Sequence, residues 1–172
     1  MAAQFATESG DNPLWEFALT FYARPGVQQT LLSLQNDADM DVLLLLTALW
    51  LGKQHYELPD TLSEAGDYFR WRQQVILPIR HARSHLNAEP LRSQQAALRK
   101  QLLQAELQAE REGIVRILDW LKNQSLIDQQ QPCCEQNLLL LQDMAAVDNG
   151  VSAAQKKEAR RPLLQQLLLL AE

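Results

Sequence analysis

Arg72, Arg80 and Arg83 carry the most suggestive chemistry in the chain, with Arg70 and His81 beside them. At about 100° of helical rotation per residue the three arginines fall within about 80° of one another, so one helix presents three guanidinium forks on one side. Such forks grip carboxylate or phosphate through paired N–H groups, which suits a small anionic ligand, an acidic partner segment or the protein's own acids. The acids that the sequence offers for internal pairing are Asp37, Asp39, Asp41, Glu64 and Asp67. Asp39 and Asp41 with Arg72, Arg80 and Arg83 therefore form the candidate polar site, read either as a ligand cleft or as ion pairs.

The remaining constellations support simpler roles. Asp37, Asp39 and Asp41 are spaced by two, like the start of a calcium loop, but Val42 and Ala48 stand where that loop needs Gly and Glu. Capping a helix start is the better reading of these aspartates. His81 and His85 share a helix face at a metal-pair spacing, yet no Asp or Glu lies between them, and His55 is on another segment. Cys133 and Cys134 are the only cysteines; neighbours rarely bridge each other and cannot build a zinc site alone, so free thiols in a reducing compartment are expected. There is no Gly-x-Ser-x-Gly and no Gly-rich phosphate loop. The sequence thus assigns no catalytic residue, no metal ligand and no cofactor, and it leans away from an enzyme.

The elements that must position these residues are all helical. Asn12 and Pro13 open a helix carrying Leu14, Phe17, Ala18, Phe21 and Tyr22, and Arg24-Pro25-Gly26 ends it. A second helix shows Val27, Leu31 and Leu34 on one face, and a third runs from near Asp39 or Asp41 to Gly52, which is expected to be a left-handed cap. After a turn at Pro59-Asp60, a helix from Ser63 or Asp67 to Leu86 should kink at Pro78. Residues 93–122 hold no proline and are rich in Ala, Leu, Gln, Glu and Arg, which predicts one long helix. Its first half has a narrow stripe, Leu98, Leu102, Ala105 and Ala109, suited to a partly exposed arm, and its second half a wider one through Ile114, Val115, Ile117, Leu118 and Leu121, expected to be core. Helices at 133–147 and from Ser152, joined by a turn at Asp148-Asn149-Gly150, complete the chain. No segment alternates like a strand. The expected fold is an all-α bundle of about six to eight helices in a single domain, 1–172, with a core over 12–87, a long helix or arm over 93–122 and C-terminal helices over 132–172.

The 172 residues carry a formal charge of -5, which argues against general binding to nucleic acid or anionic membrane. Met1-Ala2-Ala3-Gln4-Phe5 lacks the basic start and apolar core of a signal peptide, so a cytoplasmic protein is expected. Nine of the ten residues from Val42 to Leu51 are apolar. Ten residues of helix rise only about 15 Å, half of a hydrocarbon core of about 30 Å, so this is a buried central helix and no membrane span. The shorter leucine run Leu163–Leu170 contains a Gln pair and reads as a docked helix.

Trp15, Phe21-Tyr22-Ala23-Arg24-Pro25-Gly26-Val27, Leu34-Gln35, Asp41-Val42 with the leucines to Leu49-Trp50-Leu51, and Trp71-Arg72 with Pro78-Ile79-Arg80 and Arg83 appear in this order. Over residues 14–87 this pattern resembles a proteobacterial family of small helical proteins carried as a domain of unknown function. The resemblance implies a cytosolic bacterial all-helical domain with no assigned reaction. That family often has Asn after the Asp-Val pair, where this chain has Leu43. The functional expectation is a protein-interaction or regulatory module that binds a protein partner or itself, with Leu98 and Leu102 on the binding arm. The alternative is a small anionic-ligand binder or enzyme built on the Asp/Arg cleft.

Overall fold

Asn12 opens the first helix: its Oδ1 accepts a hydrogen bond from Trp15 N at 2.9 Å, and Pro13 follows where no backbone N–H is needed. In the computed structural model, residues 12–145 and 151–172 are described. Helices α1 (Pro13–Tyr22), α2 (Val27–Asn36), α3 (Val42–Lys53), α4 (Gly66–Trp71), α5 (Leu77–His85), α6 (Leu91–Gln94), α7 (Ala96–Leu121), α8 (Cys134–Ala145) and α9 (Val151–Ala171) follow in order. The described residues contain no strand; an isolated bridge pairs Tyr56 with Asp128. The fold is all-α, as the sequence predicts. The turn expected at 148–150 lies outside the described residues.

The chain divides into two compact units, one built from the described residues up to Leu62 and from Gln124 onward, the other from Ser63 to Asn123. In the first unit α3 is the centre, because a helix apolar all round is stable only when covered on every side. Every residue from Leu43 to Gly52 is buried, and α1, α2 and α8 pack against it. The Asp41 carboxylate starts α3 by accepting from Leu43 N at 3.0 Å. Gly52 is not the expected cap. It lies inside α3, and its missing side chain admits α8: a Cβ there would stand 2.6 Å from the backbone N and Cα of Cys134. The positive φ beyond the helix belongs to His55 instead, at 68°.

Helix α9 docks on α2 within the same unit. Leu164, Leu167 and Ala171 are buried, and Arg24 Nη1 donates to Leu170 O at 3.1 Å. Arg160, also buried, donates from Nε to Ala38 O at 2.8 Å, fixing the turn between α2 and α3. No helix among the described residues is long and apolar enough to cross a membrane.

In the second unit, α4 and α5 are joined through a π-helical segment, Arg72–Ile76, in which Leu77 N donates to Arg72 O. Pro78 explains it. Proline has no N–H for the carbonyl of residue 74 and its ring crowds that carbonyl, so the chain takes one wider turn just ahead of it. The kink expected at Pro78 is thus a π turn upstream of it. The helix predicted over 93–122 is also divided: Gln95 leaves helical geometry at φ -115°, ψ 30°, separating the single turn of α6 from α7.

Candidate functional site

Arg80 and Arg83 are three apart on α5 and project to the same side, where α7 packs against them. Opposite them on α7 stand Glu106 and Glu110, four apart and therefore also on one face. Arg80 donates from Nε to Glu106 Oε1 at 2.8 Å and from Nη2 to Glu110 Oε1 at 2.6 Å. Arg83 donates from Nε to Glu106 Oε2 and from Nη2 to Glu106 Oε1, the latter at 3.2 Å. One carboxylate thus receives hydrogen bonds from both guanidiniums.

Glu106 is only 4% exposed. Burial by itself would raise its pKa, but the hydrogen bonds from Arg83 and Arg80, together with their charges, outweigh burial and hold the carboxyl below the ordinary range. For Arg80 burial works downward, and the hydrogen bond and charge of Glu106 with the charge of Glu110 carry the pKa above its usual value. Both groups stay ionised near neutral pH. A buried pair of this kind fixes one geometry, and removing a member strands the others.

A tryptophan continues the α7 interface. Trp71 donates its indole N–H to Ala109 O at 2.8 Å, while the Arg116 guanidinium lies 4.0 Å from the centre of its ring. Arg116 is held by Glu112, whose backbone oxygen accepts at 2.8 Å. Trp71 is therefore a structural bolt between α4 and α7.

The sequence-predicted residues fall into separate local roles. Arg80 and Arg83 come together on Glu106 and Glu110, which lie beyond the stretch 37–67 in which their acidic partners are expected. Arg72 sits half-buried in the π segment. Asp39 and Asp41 belong to the first unit and the three arginines to the second. Asp39 takes a left-handed φ of 58° between α2 and α3, and Asp41 caps α3. His85 Nδ1 lies 2.7 Å from His81 O, so one histidine of the spaced pair contacts the backbone of the other. The two thiols are buried: Cys133 Sγ donates to Tyr56 O at 3.1 Å, and burial pushes both pKa values up, away from reactive thiolate.

The narrow stripe on α7 is split by burial. Leu98 and Ala105 are exposed and Leu102 is half-buried, whereas Ala109 is buried. A second apolar pair escapes the sequence reading: Leu103 is 39% exposed and Leu107 45%, four residues apart. Its signal is present as a Leu-x-x-x-Leu spacing, hidden beside the stripe one position away. Val115, expected in the core stripe, is instead 39% exposed, because it turns away from the buried face of Ile114, Ile117 and Leu118. A shallow depression of about 270 Å³ on α2, lined by Gln28, Gln29, Leu32, Ser33, Asn36 and Asp37, contains none of the candidate site residues.

An all-α chain whose second unit is held by the Arg80–Arg83–Glu106–Glu110 ion pairs is what the geometry of the described residues defines. The chain belongs to the family described as a protein of unknown function (DUF2390), whose model matches residues 13–117. The match includes α5, its arginines, and Glu106 and Glu110 on α7, but ends before α8. No curated protein and no solved structure matches the chain.

Proposed function

We propose that the protein is an interaction module whose docking element is the solvent-facing side of α7. The observation that carries this reading is the exposure of the adjacent Leu103 and Leu107 along one row of the helix, with Val115 exposed beyond Arg111 and Leu98 exposed on another side. Large apolar side chains in a continuous exposed row mark association surfaces, whereas singly scattered ones do not. Leu98 and Leu102, together with Leu103 and Leu107, offer two flanks to a partner helix. The anionic-ligand reading loses its main support, because the guanidiniums of Arg80 and Arg83 already hold Glu106 and Glu110.

The test is a photo-crosslinking amino acid placed at Leu103, and separately at Leu98, in the full chain expressed in its native cell. A discrete crosslinked species containing a second polypeptide is expected from at least one position. It should disappear in L107K for the first position and in L102K for the second. Well-folded protein that forms no crosslink at either position would end this reading.

A further inference from the structure

The exposed row on α7 is bounded by cations. Read at every fourth residue it runs Arg99, Leu103, Leu107, Arg111, and no acidic residue interrupts it. Arg99, half-buried, donates from Nε to Asn87 Oδ1 at 2.9 Å, but asparagine is neutral, so that bond does not offset the charge of Arg99. The neighbouring acids Glu106 and Glu110 lie on a different row and are neutralised by Arg80 and Arg83. The row is therefore positive, apolar, apolar, positive.

The same chain carries its complement. On α8 the residues at the same spacing are Glu135, Leu139 and Asp143, all exposed, with Leu139 at 50%. That row reads negative, apolar, negative. Asp143 already has an interaction of its own, so Glu135 provides the stronger half of the match. At about 1.5 Å of rise per residue the two cations stand about 18 Å apart along α7 and the two acids about 12 Å apart along α8. Leu139 of one helix then fits between Leu103 and Leu107 of another, and the long arginine arms lean inward to the carboxylates. Both rows read alike in either direction, so the match holds for parallel and antiparallel crossings.

We infer that the partner of the α7 row is the α8 row of a second copy of this chain. This rests on the reading of α7 as the docking element and names its occupant. Each copy carries one row of each kind, so a second copy supplies the row that complements α7. A single helix-on-helix contact bounded by charges belongs to weak, salt-sensitive association.

The test is sedimentation equilibrium of the full chain over a wide concentration range at low and high salt, with circular dichroism checking each variant's fold. The mass of the wild type should rise above 19.6 kDa with concentration, and salt should lower the rise. L103K/L107K should stay monomeric with unchanged helicity. Charge reversal gives the sharper outcome. R99E/R111E and E135R/D143R should each be monomeric, because the α7–α8 contact then joins like charges, and mixing the two should restore association through rows opposite in sign. A wild type that stays monomeric throughout, or variants that do not associate on mixing, would overturn the inference. If Leu103 nevertheless crosslinks to a different polypeptide in the cell, the module reading stands and self-association alone falls; with no crosslink to any chain, both fall.

Discussion

Gly52 and Cys134 are in direct backbone contact: the place a Cβ would occupy on Gly52 is 2.6 Å from Cys134 N. Cys133 N also donates to Gly52 O at 3.1 Å, so the start of α8 is hydrogen-bonded to the end of α3. A methyl group here meets backbone, which cannot swing aside like a flexible side chain. G52A gains up to about 1 kcal/mol of helix propensity but incurs overpacking of about 1–3 kcal/mol. We expect a net loss of stability and a melting temperature lower by several degrees. Gly66, with nothing within 4 Å of its Cβ position, is the control. G66A should be neutral or stabilising, and equal effects at the two positions would contradict the close contact.

Asn137 ties the loop after α3 to α8. Its Nδ2 donates to Ala48 O and Tyr56 O, each at 3.0 Å, and its Oδ1 accepts from Leu58 N at 2.8 Å. Each buried polar group left without a partner costs about 1–3 kcal/mol. N137A should therefore lower stability by about 3 kcal/mol and speed hydrogen exchange at the Leu58 amide selectively. An unchanged Leu58 exchange rate would show that the amide is not held in this way.

Leu45 has no exposed surface at the centre of α3. An aspartate there would be a buried carboxylate without a partner, costing several kcal/mol or more against the ~5 to 15 kcal/mol that stabilises a typical domain. L45D should be unfolded or insoluble. A soluble L45D with the wild-type melting temperature would remove α3 from the core.

What was legible in the sequence followed from local chemistry. Asn12-Pro13, Asp41 and the unbroken leucines of α3 each act within a few residues, and the structure places them as capping and burial rules require. What was hidden depended on distant partners. Gly52 has the chemistry of a helix terminator, and only the approach of Cys134 shows that it is a packing glycine. Arg80 and Arg83 have the right type and face to bind an anion, but their anions are Glu106 and Glu110 on another helix. The stripe at Leu98 and Leu102 was visible by its period, whereas the exposure of Leu103 and Leu107 depends on how α7 packs. Periodicity reports that a face is apolar; it does not report whether that face is covered.

The Glu106 cluster gives a pH dependence with a defined sign. Its carboxyl pKa is lowered in the folded protein, whereas an unfolded glutamate titrates near about 4.3. The ionised cluster therefore adds stability that is fully present above the unfolded value and is lost as pH falls through the lower, folded value. E106Q leaves Arg83 facing a neutral amide and Arg80 with Glu110 alone, a change that should cost about 3 kcal/mol near neutral pH, the lower end for breaking a buried pair. Other carboxylates titrate over the same range, so the informative quantity is the stability difference between wild type and E106Q. Urea unfolding at a series of pH values from 7 down to 3 should show that difference constant above about pH 5 and shrinking below it as the wild-type carboxyl gains its proton. A difference that stays constant to pH 3 would mean that the ionised state of Glu106 contributes nothing to the second unit.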